Sequence, residues 1–201
     1  MSRPRSAVVV VLAVFAIVAC AGCGSSQPKV SGPPPSPYQG FKLNPPMLAP
    51  SFNLRDQTGN LLGSQSERGH WFVVAFLYTH CPDVCPLIAN NLGIAMRKIP
   101  DLRVLAISVD PKGYTPVAVR NFIRVHRLPA NFHYLTGTRA QLAPVWKKFH
   151  IGVEGGPKGT VSHNAFELLV DPKGTEELLY DSTLRAVQIE HDLPLLEKKA
   201  A

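Results

Sequence analysis

Between Trp71 and Val109 the chain spells strand, helix and strand, and that order leaves few ways to fold. Trp71–Tyr78 is an unbroken apolar run rich in valine and aromatics, the pattern of a strand covered on both faces. Cys81 and Pro82 end it. From Asp83 to Lys98 apolar residues recur at Leu87, Leu92, Ala95 and Met96, with Ile99 next, near helical spacing, and Pro100 stops the helix. Leu102–Val109 is a second apolar run of strand length. A strand that follows such a helix back into the same sheet must pair in parallel with the first, through a right-handed crossover.

The remainder of the chain completes the arrangement. Pro116–His126 reads as a second helix, Phe132–Leu135 as a short strand and Gln141–Phe149 as a third helix. Ala165–Val170 and Glu177–Tyr180 flank Asp171-Pro172-Lys173-Gly174, turn chemistry that predicts an antiparallel hairpin. Arg185–Lys198 closes the chain as a helix. Phe52, Leu54 and the turn-like Asp56–Asn60 predict a small hairpin at the start of the domain. A βαβ beginning, a β-hairpin finish and a final helix describe an α/β, thioredoxin-like fold with inserted helical segments and an N-terminal hairpin.

The first fifty residues read differently. Arg3 and Arg5 precede the apolar run Ala7–Ala19, which has the length of a signal-peptide core and is short for a membrane span. Ile17-Val18-Ala19-Cys20 has the small-residue-then-cysteine pattern of a bacterial lipoprotein cleavage site, with Cys23 as the alternative lipidated residue. Residues 1–23 are therefore expected to be a lipoprotein signal peptide and lipobox. Residues 24–50, crowded with Pro, Ser and Gly, are expected to form a semi-extended tether, and residues 51–198 the folded domain. This places the domain outside the cytoplasm, held to the bacterial membrane in the periplasm or on the extracytoplasmic face. Of 201 residues 45% are hydrophobic and 17% charged, so the chain can bury a core. Its net charge of +7 is scattered without a basic run or stripe, which gives no reason to expect a nucleic-acid partner.

The chemistry concentrates in Tyr78-Thr79-His80-Cys81-Pro82-Asp83-Val84-Cys85-Pro86, where a buried strand hands over to a helix. Sites in open α/β sheets form beyond the C-terminal strand ends, and a helix N-terminus stabilises a thiolate. A Cys–X–X–X–Cys spacing puts both sulfurs on one side of the first turn, where they can converge on one soft ion. The same pair can instead close as a disulfide, structural or reversible, as exported proteins permit.

These residues, with Val109-Asp110-Pro111, Ser162-His163-Asn164 and a span from Phe52-Asn53-Leu54-Arg55-Asp56 to Asp171-Pro172-Lys173-Gly174, make the domain similar to the SCO/SenC family of copper proteins that serve cytochrome oxidase assembly. The resemblance implies a thioredoxin fold and a copper ion, Cu(I), Cu(II) or both, held by Cys81, Cys85 and one distant histidine at His163. It further implies a metallochaperone that helps load the dinuclear copper centre of a respiratory cytochrome c oxidase. Its partners would be the copper-accepting oxidase subunit and another periplasmic copper carrier. Among the seven histidines, His163 sits at the entrance to the hairpin strand, which thioredoxin topology brings opposite the Cys81 turn.

His80 should point away from Cys81, and Asp110, at the neighbouring strand end, is a candidate to support a ligand or face a partner, although an Asp-Pro turn explains it equally well. The family often carries an acidic residue before its histidine and an Arg-Asp pair after the Asp-Pro dipeptide; here stand Ser162, and Gly113 and Tyr114. The rival reading is an enzyme, a thiol-disulfide oxidoreductase whose redox pair is Cys81 and Cys85 and which keeps the cysteines of a copper-site partner reduced.

Overall fold

The parallel pair expected around the first helix is the spine of the structure. In the computed structural model, which describes residues 36–112, 115–155 and 160–200, Phe72–Leu77 forms β4 and Arg103–Ser108 forms β5. They pair in parallel, residue for residue from Phe72–Arg103 to Leu77–Ser108. Every residue of β4 is buried, as its unbroken apolar run requires. Helix α1 (Val84–Lys98) joins them and turns Ile88, Ala89, Leu92, Ala95 and Met96 into the core.

Two elements continue on each side. Helix α2 (Pro116–Val125) starts on a Thr115 cap that accepts the Ala118 amide at 3.0 Å, with proline in its first turn. Strand β6 (Phe132–Leu135) then pairs in parallel with β5. Helix α3 (Arg139–Lys148) begins in a reciprocal Thr138–Gln141 capping box. On the other side β9 (Phe166–Val170) lies antiparallel to β4, and β10 (Thr175–Asp181) antiparallel to β9. Between them Gly174 takes a positive φ of 82°, which closes the expected turn at little steric cost. Helix α4 (Ala186–Ala200) packs on α1. The order β10-β9-β4-β5 with these helices is the thioredoxin-like arrangement the sequence predicts, and the Leu54–Arg55 (β2) and Leu61–Leu62 (β3) hairpin stands where expected.

The tether expectation fails from Ser36 onward. Phe41–Leu48 is a strand, β1, which pairs antiparallel with β10 and widens the sheet to the order β1-β10-β9-β4-β5-β6. Its register breaks between Lys42 and Met47, where Pro45 and Pro46 sit. An edge strand can hold prolines because one row of its amides needs no partner. Just before it, the Gln39 and Gly40 amides donate to the buried Asp192 carboxylate, each at 2.8 Å, and the Tyr180 hydroxyl donates to the same group at 3.0 Å. A side chain at Gly40 would meet the Tyr180 ring at 2.7 Å, so only glycine fits that approach. The folded unit therefore starts well before residue 51. The signal peptide, the lipobox with Cys20 and Cys23, and tether residues 24–35 lie outside the described residues.

A second hairpin was also unforeseen. Val153–Gly155 (β7) and Val161–His163 (β8) pair antiparallel, with Val153 opposite His163.

Candidate metal centre

The C-terminal end of β4 builds the site. After Leu77 the chain turns, with the Cys81 amide donating to the Tyr78 carbonyl at 3.3 Å, and Cys85 follows in the first turn of α1. Cys85 has no exposed surface, whereas Cys81 is only partly covered. Both are free thiols. Asp83 occupies the N-cap position but makes no capping hydrogen bond with its side chain. The Cys81 sulfur does that work instead, accepting the Cys85 amide at 3.4 Å.

This asymmetry polarises the pair. A hydrogen bond from the Cys85 thiol, supported by the Asp83 and Cys85 amides and the Tyr78 hydroxyl and opposed by partial burial, lowers the pKa of Cys81 from 9.0 to about 5. Cys85, which gives that hydrogen bond from a buried position, is pushed upward. Tyr78 is raised by burial and by the neighbouring Cys81 thiolate. The reduced protein thus presents one thiolate and one thiol that holds its proton toward it.

His163 ends β8 across Tyr78 from this pair. The Tyr78 and His163 rings meet edge to face, with centroids 6.3 Å apart. Burial lowers the imidazole's pKa from 6.5, against the pull of the Asn164 carbonyl and the Cys81 thiolate, so the ring is neutral at neutral pH. Its Nδ1 lies 3.0 Å from the Asn164 carbonyl oxygen, which can only accept. Nδ1 therefore carries the proton and Nε2 keeps its lone pair. Two sulfurs and one such nitrogen are a soft donor set suited to copper. Among the described residues, however, no three His, Cys, Asp or Glu side chains are gathered closely enough to hold a metal ion. The fold brings Cys81 and Cys85 together and sets the His163 ring against Tyr78, within reach of the Cys81 charge.

The supporting candidates separate from this centre. His80 is exposed, with Nδ1 3.0 Å from the Thr79 hydroxyl, and lines a pocket of about 220 Å³ with Asn121, Phe122 and His126 of the α2 region. Asp110 is nearly buried at the end of β5, where Oδ1 accepts the Lys112 amide at 3.1 Å, the Asp-Pro turn role. It also lines a cleft of about 390 Å³ with Lys112, Arg139, Glu154 and Val161. Gly113 and Tyr114 lie outside the described residues. Two histidines that look solitary in the sequence do meet carboxylates, His133 with Asp56 at 3.1 Å and His191 with Asp192 at 2.8 Å, both far in the chain from the cysteines. Sequence reasoning passed over Tyr78 and Asn164 as site residues. Tyr78 carried a signal, a polar-tipped aromatic closing an apolar strand three positions before Cys81. Asn164 carried none beyond its place beside His163.

Comparison with known proteins places the fold in a family. A SCO2-like protein of Rickettsia typhi is 30% identical over 141 residues, which cover 63% of this chain and 66% of the relative, so less than two thirds of that protein's length is matched. The solved structure of Bradyrhizobium japonicum ScoI with copper bound matches with a TM-score of 0.64 and 25% identity, over 74% of this chain and 98% of that one. The structure of BsSco, described as a member of the Sco family of cytochrome c oxidase assembly proteins with a disulfide switch, matches with a TM-score of 0.64 and 23% identity, over 77% and 96% of the two chains. Residues 42–195 match the SCO1/SenC family throughout, and the chain belongs to that family.

Proposed function

We propose that this chain is a copper metallochaperone that receives copper outside the cytoplasm and helps deliver it to the dinuclear copper centre of a respiratory cytochrome c oxidase. The observation that carries the reading is the polarised pair of Cys81 and Cys85 at the strand end, with His163, its Nδ1 bonded to the Asn164 main-chain carbonyl, packed on the adjacent Tyr78 ring. Copper is the cargo. Cys81, Cys85 and His163 would hold it. The ScoI structure of Bradyrhizobium japonicum was solved with copper, and BsSco belongs to a family of cytochrome c oxidase assembly proteins, which supports both the cargo and the destination. The partners on this reading are the copper-accepting oxidase subunit and a periplasmic copper carrier. Lipidation of Cys20, or of Cys23, would anchor the domain at the membrane surface; no helix among the described residues is long and apolar enough to cross a membrane.

The same pair supports one competing reading, thiol-disulfide exchange. The Cys81 thiolate would attack a partner's disulfide and release one partner thiolate. Cys85 would then displace the second, leaving the partner's two cysteines reduced and a Cys81–Cys85 disulfide formed. That chemistry needs no imidazole ligand. His163→Ala is therefore the deciding variant. On the copper reading it lowers copper affinity by at least about 10 to 100-fold, the range already lost when only a supporting contact goes, and oxidase assembly falls with it. The Cys81–Cys85 couple continues to oxidise and reduce. Full oxidase assembly in His163→Ala cells, beside its loss in Cys85→Ser cells, would refute copper transfer in favour of exchange.

A further inference from the structure

A path of hydrogen bonds runs from the end of β5 to the His163 ring. The Trp146 indole of α3 donates to the Ser108 carbonyl at the end of β5, at 2.9 Å. The Ile151 amide, just past α3, donates to the Trp146 carbonyl at 2.8 Å. The next amide, Gly152, donates to the Asn164 side-chain oxygen at 2.7 Å, and the Asn164 side-chain nitrogen donates back to the His150 carbonyl at 3.1 Å. Finally, the main-chain carbonyl of Asn164 accepts His163 Nδ1–H at 3.0 Å. Trp146 and Ile151 are buried in the core, so the inner part of this path is fixed.

Asn164 is the outer link, and both ends of its amide are used. It lies between β8 and β9, opposite the residue that leads into β7, so its side chain closes the base of the β7–β8 hairpin. We propose that Asn164 is a positioning residue for His163, tying the end of β8 to the loop after α3 and thereby fixing the tautomer and approach of the imidazole toward Cys81 and Cys85. This rests on the copper reading above for its consequence, and on the hydrogen bonds alone for its hold on the ring. An asparagine suits the post because one short side chain must accept from Gly152 and donate to His150 at once. Alanine does neither, and aspartate would turn a second acceptor toward the His150 carbonyl.

The test uses the full chain, reduced, in four forms: wild type, Asn164→Ala, His163→Ala and the double variant. Competition with a chromophoric Cu(I) chelator reads affinity. Asn164→Ala is expected to weaken copper binding by about 10 to 100-fold, as loss of a ligand's supporting contact does. In the His163→Ala background it should cost nothing further, because a residue that acts through His163 has nothing left to act on. In metal-free wild type, nitrogen-15 NMR should show His163 protonated on Nδ1 alone; Asn164→Ala keeps the main-chain carbonyl that accepts this proton but loses the side-chain ties that hold it in place, so a mixture of tautomers is expected, while the Cys81–Cys85 redox midpoint stays put. Wild-type affinity in Asn164→Ala, an equal loss in both backgrounds, or an unchanged tautomer would each overturn the assignment. If instead His163→Ala and Cys85→Ser bind copper like the wild type, the copper reading is what fails, and the tautomer measurement still decides the role of Asn164.

Discussion

Of the two cysteines in the folded domain, alkylation of the reduced chain across pH should find Cys81 reactive, with a rate that levels off above about pH 6, and Cys85 silent. Cys81 ionises near 5 rather than 9.0, chiefly through the hydrogen bond from Cys85, while Cys85 is fully buried and shifted upward. At pH 7 a thiol with a pKa of 9.0 is about 1% ionised and one near 5 about 99%, a gain of roughly 100-fold in thiolate. A thiolate that much more acidic is also a weaker nucleophile, by about 40 to 100-fold at a Brønsted slope of about 0.4–0.5. At pH 7 the two effects nearly cancel, so a single rate would mislead. At pH 6 the ordinary thiol falls to about 0.1% thiolate while Cys81 stays near 90%, and Cys81 should react about 9 to 20-fold faster than an unperturbed cysteine. The assay is iodoacetamide labelling after anaerobic removal of reductant, resolved by mass spectrometry at each cysteine from pH 4 to 9. The Cys81 rate should level off above about pH 6 and fall below about 5, with Cys85 unlabelled in the native protein. A Cys81 rate that climbs about tenfold per pH step up to pH 8, or earlier labelling of Cys85, would refute the polarised pair. The same asymmetry has a stability sign. The unfolded thiol keeps its proton up to about 9.0 and the folded one releases it near 5, so this group stabilises the fold increasingly as pH rises across that window, and the gain is lost as pH falls toward 5.

Glu167 is expected to act in the opposite sense. It is fully buried on β9, neither carboxylate oxygen has a hydrogen-bond partner among the described residues, and burial, with Asp181 nearby, raises its pKa well above 4.5. The folded chain therefore retains a proton that the unfolded chain loses, and stability is fully present below about 4.5 and declines as pH rises above it. Glu167→Met, which keeps the length and removes the orphaned oxygens, should stabilise by about 1–3 kcal/mol, raise Tm by roughly 2–12 °C and flatten that decline; a lower Tm at pH 7 would show that the carboxyl has a partner that matters. For the anchor, replacing Cys20 and Cys23 together should release the chain from the membrane fraction, and an unprocessed double variant that stays membrane-bound would point to a helical anchor.

What could be read from the sequence was what neighbouring residues decide. The unbroken run of β4, the helical spacing of α1 and the Asp171–Gly174 turn each carry their own instruction, and together they require the parallel pair and the hairpin that follow. The placement of Cys81 at a strand end, and of His163 at the start of the hairpin, followed from that topology. β1 was hidden because its instruction is held elsewhere: Pro45 and Pro46 read locally as tether, and only the buried Asp192 carboxylate, more than 150 positions later, shows that Gln39 and Gly40 belong to the domain. The β7–β8 hairpin was hidden for a related reason, since strands of three residues have no period to detect. Glu167 sits between Phe166 and Leu168, where alternation predicts a polar side chain facing water, yet it is fully buried. The places of the candidate residues Cys81, Cys85 and His163 in the fold thus follow from topology, while their immediate neighbours, the Tyr78 ring against His163 and the Asn164 side chain that ties the adjoining loop, are marked by no periodicity.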